Sequence, residues 1–340
     1  MLYDKRGLAL TTDNQTAVDA FDATVEAFLT SGRDTGPLLA SLDETDPNML
    51  MGVCLRGYLM RMASLIELDI KSQIALVDAQ RLCPGATTRE QLHVDALASW
   101  FAGDFVKAGQ IWEAILIDYP HDILALRLAH NIHFFVGDIF RMRDSMARLM
   151  PRWSEEIPGY GYVLGCRAFS LEEAGEYERA EPIGRRAVEL NENDIWAGHA
   201  VAHVLEMQGR RSDGVEWINS HEKVWSKRGL FDRNKSLWGG WYMNFNDYGM
   251  YHAGDTGYSN DFIDTRLKLG APKYAFIPIG AYNPEWFMAE SHVNPEDAIQ
   301  VMLDLEAEKA FGMHWGTFAL TDEDTLEPPL RLKEALKSFN

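Results

Sequence analysis

Four glycines recur through the first two thirds of the chain at nearly constant spacing. They are Gly103, Gly137, Gly175 and Gly209, separated by 34, 38 and 34 residues. Glycine permits the tight turn that joins two helices. A period near 34 predicts helical pairs that stack, because a single pair cannot bury its own apolar face. The spacing therefore predicts an α-helical repeat array over residues 1–223.

Two of these glycines open similar phrases, GDFVKAGQIWEAILIDYPHD (103–122) and GEYERAEPIGRRAVELNEND (175–194). Small residues at matching places predict close approach of paired helices, and Asp or Pro at the end predicts the start of the next helix. The alanines are Ala108 with Ala180 and Ala114 with Ala187, and the helix starts are Pro120 or Asp122 and Asp194.

The run TTREQLHVDALASWFAGDFVKAGQ, followed by MRDSMARLMPRW and DIWAGHAVAHVLEMQGR, resembles the tetratricopeptide repeat protein 38 family over about residues 15–223. That resemblance implies a helical repeat fold without an established reaction. It also implies a concave groove that would bind a protein or peptide.

One constellation in this part has the spacing of a metal site. His199, His203 and Glu206 would share one helical face. Further ligands could come from His93, His130 and His133. We favour the alternative that these histidines are hydrogen-bonded between helices or line the groove, because the phrase lacks the glutamate of a HExxH site. Two tryptophans, Trp196 and Trp217, are interpreted as core anchors.

The pattern of apolar residues in the sequence changes near residue 224. Short apolar runs broken by Gly and Pro, such as YAFIPIGAY, favour strands and loops around helices. We predict a second domain over 224–340. Its strands are expected near 237–244, 248–253, 274–278 and 310–314, and its helices near 259–269, 295–307 and 328–337.

Two motifs in the second part suit metal chemistry. AGDTGY places Asp255 after an apolar strand, where Gly254 and Gly257 allow a sharp turn, and a carboxylate there can bind divalent metals. MHWGT places His314 at another strand end, and a neutral imidazole suits zinc.

The phrases WSKRGLFDRNKSLWGGWYM, YHAGDTGYSNDF, FIPIGAYNPEWFM, ESHVNPEDAIQ and FGMHWGTFALTDEDTLEPPLRL resemble, in order, the C-terminal half of the metallo-β-lactamase superfamily over about 225–338. The similarity is to the branch of N-acyl-phosphatidylethanolamine-hydrolysing phospholipase D. It implies part of an αβ/βα sandwich with zinc. It also implies that Asp255 is a bridging metal ligand, His314 the last ligand histidine, and His292 a residue near the substrate phosphate.

The same resemblance shows what the sequence lacks. The superfamily's HxHxDH phrase is absent, HNIHFF (130–135) being the nearest string, and Val224 stands where the family has a histidine. Two matched ligands predict weak or no zinc binding. The half sheet is expected to have an apolar face that its own first half should cover. Either the helical array shields that face, or a partner associates through it, or the segment folds poorly. Trp225 fits both resemblances, which indicates a fusion, natural or constructed.

Charge and cysteine content narrow the classes of partner. The formal net charge is −19, so nucleic acid and anionic membrane surfaces are not expected partners. Three scattered cysteines do not form a disulfide framework, and no signal core or apolar span is evident. We therefore expect a cytoplasmic protein.

Two functions follow from these patterns. We favour a helical-repeat binding or scaffold protein with a truncated, non-catalytic metallo-β-lactamase-like segment. The alternative is a zinc-dependent phosphodiester hydrolase of the phospholipase D type, with the repeat array as a regulatory domain.

Overall fold

The structure is a computed structural model that describes residues 1–63, 66–221, 240–245, 247–316 and 321–338. The chain divides into two compact units, a helical unit (Met1–Leu230) and a C-terminal unit (Phe231–Asn340). The predicted boundary at 224, together with Val224 and Trp225, lies outside the described residues. Most of the described chain is helical, and a small mixed sheet lies in the C-terminal unit.

The helical unit begins with a short antiparallel pair of strands, β1 (Leu2–Tyr3) and β2 (Ala9–Leu10). Consecutive helices then follow to the end of its described residues. They are α1 (Gln15–Leu29), α2 (Thr35–Thr45), α3 (Leu50–Met62), α4 (Ile66–Leu82), α5 (Thr88–Phe101), α6 (Phe105–Asp118), α7 (Ile123–Phe135), α8 (Ile139–Leu149), α9 (Tyr160–Glu173), α10 (Tyr177–Leu190), α11 (Ile195–Met207) and α12 (Arg211–Ser220).

The repeated glycines lie in the turns between α5 and α6, α7 and α8, α9 and α10, and α11 and α12. All four have left-handed backbone, with φ values of 81°, 73°, 76° and 69° for Gly103, Gly137, Gly175 and Gly209. A residue with a Cβ atom would be strained there, which explains the glycine spacing.

Three of the four alanines predicted at helix contacts are buried, and one is exposed. Ala108, Ala180 and Ala187 are buried, but Ala114 is exposed on α6. The prediction for Ala114 is therefore wrong, because matching position in a phrase does not fix which side of the helix packs. Of the two predicted core tryptophans, Trp217 is buried and Trp196 is half-buried.

The C-terminal unit contains a four-stranded mixed sheet. Its strands are β3 (Trp241–Phe245), β4 (Tyr248–His252), β5 (Tyr274–Pro278) and β6 (Lys309–Met313), in that spatial order. The first pair is antiparallel, and β4, β5 and β6 are parallel to one another. The helices are α13 (Asp261–Leu269), α14 (Glu285–Met288), α15 (Pro295–Asp304) and α16 (Glu327–Ala335).

These elements match the predicted ones closely, except that α14 was not predicted. The start of the first predicted strand, 237–239, lies outside the described residues. The last three strands agree with prediction to within one residue at each end.

The two faces of the sheet differ in burial. One face packs on helices and carries the buried residues Tyr251, Ala275 and Ile277. On the other face Trp241 is 72% exposed and Phe311 is 48% exposed, and the rings of Phe276 and Phe311 stack with centroids 5.2 Å apart. An exposed aromatic face on the sheet was the expected consequence of a half fold.

Within the described residues, none of the helices combines the length and apolar character needed to span a bilayer.

Candidate functional site

The carboxyl ends of the parallel strands form one edge of the sheet, and the two predicted metal ligands lie there. Asp255 follows β4 after a turn at Gly254, whose φ is 68°, and His314 comes directly after β6. Strands β4 and β6 flank β5 and run parallel to it, so loops after their ends meet at the same edge. Nδ1 of His314 lies 2.8 Å from Oδ1 of Asp255.

Both side chains of this pair face solvent in part. The exposed fraction is 51% for the Asp255 side chain and 40% for that of His314. A polar pair with this exposure contributes little to folding, because water screens the interaction. The pair is therefore accessible to a ligand.

The backbone at His314 is in the left-handed region, with φ of 58°. A residue with a Cβ atom is rarely found there, and such conformations cluster at functional sites. Gly280 packs against the same segment, since a Cβ added to it would lie 2.2 Å from the His314 carbonyl oxygen. The close packing at Gly280 and the left-handed backbone therefore both constrain the main chain at His314.

Gly257 has a different role from the sharp turn predicted for it. A Cβ at Gly257 would lie 2.5 Å from the carbonyl oxygen of Glu290, so the glycine allows two backbones to approach. The Val293 N–H donates to the Thr256 carbonyl at 2.9 Å. This contact brings the segment of His292 beside the loop of Asp255.

Asp255, His292 and His314 line one cavity of about 320 Å³. The residues that sequence reasoning assigned to a metal and to a phosphate are thus brought together at one opening. The cavity is also lined by Trp315 and by Glu323.

Glu323 holds the wall of the cavity. Its carboxylate accepts the backbone N–H groups of Ala281 at 2.6 Å and Asn283 at 3.0 Å, and the Thr321 hydroxyl at 2.7 Å. Burial alone would raise the pKa of Glu323, but these hydrogen bonds outweigh it and lower the pKa below its usual value. Glu323 is therefore committed to shaping the loop.

His252 is a residue of this edge that the sequence analysis missed. Its ring centroid is 6.1 Å from that of His314, and its Nδ1 accepts the Gly254 N–H at 3.2 Å. It stands at the end of β4, two residues before Gly254. That position in the phrase YHAGDTGY was the available signal.

In the helical unit the predicted trio His199, His203 and Glu206 is replaced by a different grouping. His203 lies near Glu172 and Glu173, and the ligand atoms of these three residues are within 4.8 Å of one another. Glu206 is exposed on α11 and is not part of the grouping. Glu206 was expected from helical spacing alone, whereas the acidic partners come from α9.

The charges in this grouping influence one another. The nearby carboxylate of Glu172 raises the pKa of His203, although burial opposes the shift. Burial, followed by the neighbouring Glu172, raises the pKa of Glu173. The concentration of negative charge favours a cationic partner.

The other helical histidines have separate partners, as the favoured interpretation expected. His93 Nε2 lies 3.0 Å from Asp122 Oδ2, and His133 Nε2 lies 3.1 Å from Glu113 Oε1. The indole of Trp196 donates to His130 at 3.2 Å. These contacts join neighbouring helices and do not bring the three histidines to His203.

Comparisons with known proteins concern the second part of the chain most directly. A sequence model of the β-lactamase superfamily domain matches residues 167–315. The interval begins within α9, upstream of residue 225 where the resemblance was expected to start.

Two curated relatives are named as N-acyl-phosphatidylethanolamine-hydrolyzing phospholipase D. The mitochondrial protein of that name from Saccharomyces cerevisiae is 43% identical over 131 residues, which cover 37% of this chain and 28% of the relative. N-acyl-phosphatidylethanolamine-hydrolyzing phospholipase D 1 from Caenorhabditis elegans is 43% identical over 112 residues, which cover 32% of this chain and 32% of the relative. The match thus spans about a third of each relative. The C-terminal region of this chain carries a metallo-β-lactamase superfamily domain homologous to N-acyl-phosphatidylethanolamine-hydrolysing phospholipase D.

Proposed function

We propose that the C-terminal unit forms part of the active site of a metal-dependent phosphodiester hydrolase of the phospholipase D type. One observation carries the proposal: Asp255, His292 and His314 line a single cavity, with the first and last of them 2.8 Å apart. In this proposal Asp255 and His314 bind the metal, and His292 contacts the phosphate of an N-acyl-phosphatidylethanolamine-like substrate.

The donor set suits zinc in kind. An imidazole and a carboxylate are common zinc ligands, but a catalytic zinc site uses about three protein ligands. Asp255 and His314 supply two, so a complete site requires a donor beyond the matched pair. A divalent metal held there would supply Lewis-acid polarisation of a phosphoryl oxygen.

The residues of the chain position the substrate around this edge. His292 can donate a hydrogen bond to a phosphate oxygen. Glu323 accepts backbone N–H groups and so keeps its carboxylate from the phosphate. Without a cation, the carboxylate of Asp255 would repel a phosphate, which makes metal binding the first requirement of the proposal.

The test is hydrolysis of N-acyl-phosphatidylethanolamine by the full chain, first stripped of metal and then supplied with Zn²⁺. We expect Asp255→Asn and His314→Ala each to lower kcat/KM by about a hundredfold or more, the size of effect seen when a group that stabilises the transition state is removed. The control is Asp264→Asn, an exposed acid on α13 outside the cavity. Equal turnover by the parent chain and both cavity variants would refute the assignment.

A second function is favoured by the helical unit. Its helix pairs turn at left-handed glycines with a period near 34, which supports a tetratricopeptide-like array related to the repeat protein 38 family. A groove of about 360 Å³ is lined by Phe28, Arg127, Phe134 and Trp196, among others, and the Arg127 guanidinium lies 4.4 Å from the Trp196 ring centroid. In this alternative the groove binds a protein or peptide, and the C-terminal unit is a non-catalytic segment that associates through its exposed sheet face.

One measurement separates the two functions. Zinc-dependent turnover that Asp255→Asn abolishes supports the hydrolase. A chain that shows no turnover with zinc present supports the binding protein, in which Trp196→Ala should weaken peptide capture while Asp255→Asn leaves capture unchanged.

A further inference from the structure

The end of α9 and the middle of α11 bring one histidine and two glutamates together. Glu172 and Glu173 are the last residues of α9, and His203 lies on α11, which packs beside it. Each of the three offers one ligand atom, and these atoms lie within 4.8 Å of one another. Donors held that close on two packed helices form a preorganised set.

Glu172 adds an independent observation. Its side chain is only 6% exposed, and its Oε1 lies 3.6 Å from Nδ1 of His203. The other oxygen, Oε2, is buried and has no hydrogen-bond partner among the described residues. A buried carboxylate oxygen without a partner is costly, and a bound cation would remove that cost.

The site also has an entrance and a fixed imidazole. The side chain of His203 is 39% exposed, and Glu173 is half-buried. The ring of His199 stacks on Trp196, with planes 10° apart, and its centroid is 4.1 Å from that of His203. His199 is therefore a positioning residue that limits the orientations of His203.

We propose that Glu172, Glu173 and His203 bind one divalent transition-metal cation, for which Zn²⁺ is the probe. Imidazole and carboxylate donors together suit zinc, and three protein ligands leave a position for water or for a donor from a partner. The ion would cross-link α9 to α11. This site shares no residue with the cavity of Asp255 and His314.

The experiment uses the full chain carrying Asp255→Asn and His314→Ala, which removes the matched ligands of the C-terminal unit. Calorimetric titration of the metal-free protein with Zn²⁺ should show one site per chain. Adding Glu173→Gln or His203→Ala should weaken zinc binding at least about tenfold, because loss even of a group that only supports a ligand costs tenfold or more. The matched control is Glu206→Gln, which removes one exposed charge from α11 outside the grouping.

Three outcomes overturn the proposal: no zinc binding in the starting variant, unchanged affinity in Glu173→Gln, or an equal loss in Glu206→Gln. The last outcome would instead support the trio of His199, His203 and Glu206. Should His203→Ala unfold, Glu173→Gln decides, since the amide has nearly the shape of the carboxylate. Co²⁺ absorption spectra of the same proteins report ligand changes independently of affinity.

Discussion

Two helices of the helical unit begin with a buried aspartate in the same way. Asp122 precedes α7 and accepts the N–H of Ala125, and Asp194 precedes α11 and accepts the N–H of Ala197. Both aspartates are almost completely buried. The two helix starts differ in what else surrounds the carboxylate.

Asp122 has two cationic or polar partners on α5. Arg89 Nη1 lies 2.7 Å and His93 Nε2 lies 3.0 Å from its Oδ2. Burial would raise the pKa of Asp122, but the charges of His93 and Arg89 outweigh burial and hold that pKa far below its usual value. The ionised form of Asp122 is thus stabilised in the folded protein.

Asp194 lacks those partners. Arg89 and His93 precede Asp122 by 33 and 29 residues, and the residues at the same spacings before Asp194 are Gly161 and Gly165. Oδ2 of Asp194 has no hydrogen-bond partner among the described residues, and burial raises the pKa of Asp194 to about 6. The same helix-starting residue can therefore favour folding or oppose it, depending on the side chains of the helix packed against it.

Removing the charge of Asp122 should give the largest change in stability. We expect Asp122→Asn to lower the free energy of unfolding at pH 7 by about 3–5 kcal/mol, because Arg89 and His93 would remain buried with less compensation. Urea unfolding followed by circular dichroism measures the change. Asp104→Asn, at the exposed start of α6, is the matched control and should change little. A loss no greater than that of the control would contradict the assigned pairing.

The same pairing gives a dependence on pH. The pKa of Asp122 is lower in the folded protein than in the unfolded chain. The contribution of Asp122 to the free energy of unfolding is therefore complete above the unfolded-chain pKa near 3.8 and is lost as the pH falls below it.

Asp194→Asn should have the opposite sign. Asparagine starts a helix as well as aspartate does, and it removes a buried negative charge that lacks the arginine and histidine partners of Asp122. We expect the free energy of unfolding at pH 7.5 to rise by about 1–3 kcal/mol, since each pKa unit corresponds to about 1.4 kcal/mol. Urea unfolding at pH 7.5 and pH 4 measures the gain.

The sign follows from proton binding. The folded-state pKa of Asp194 is about 6, above the ordinary value of 3.8, so the folded protein binds the proton more tightly. The contribution of Asp194 to the free energy of unfolding therefore falls as the pH rises from about 4 to 6, and it is constant above that range. The gain in Asp194→Asn should therefore vanish at pH 4, and a gain equal at both pH values would show that the carboxylate is not the cause.

The smallest effect on folding stability is expected at Asp255 and His314. This pair also joins a carboxylate to an imidazole, as Asp122 and His93 do, but it is exposed. A double-mutant cycle with Asp255→Asn and His314→Ala should give a coupling energy for folding below about 1 kcal/mol. The corresponding cycle of Asp122 with Arg89 should give a clearly larger value. Equal couplings would remove the distinction between a pair that serves folding and a pair that is available to a ligand.

Sequence motifs predicted that Asp255 and His314 each follow a strand, whereas the order and parallel direction of those strands came from the structure. AGDTGY and MHWGT each follow an apolar strand, and parallel strands bring the two motifs to one edge. The partners of His203 could not be predicted in this way, because helical spacing relates residues within one helix. Glu172 and Glu173 approach His203 only through the packing of α9 on α11, which the order of residues does not reveal.

The backbone at His314 has a consequence for protein engineering. Glycine is the residue that adopts its left-handed conformation without penalty, and a histidine there costs on the order of 1 kcal/mol. A search for thermostable variants would therefore tend to select His314→Gly. Such a variant would trade the imidazole of the cavity for a higher melting temperature, so improvement by heat selection alone would work against the site.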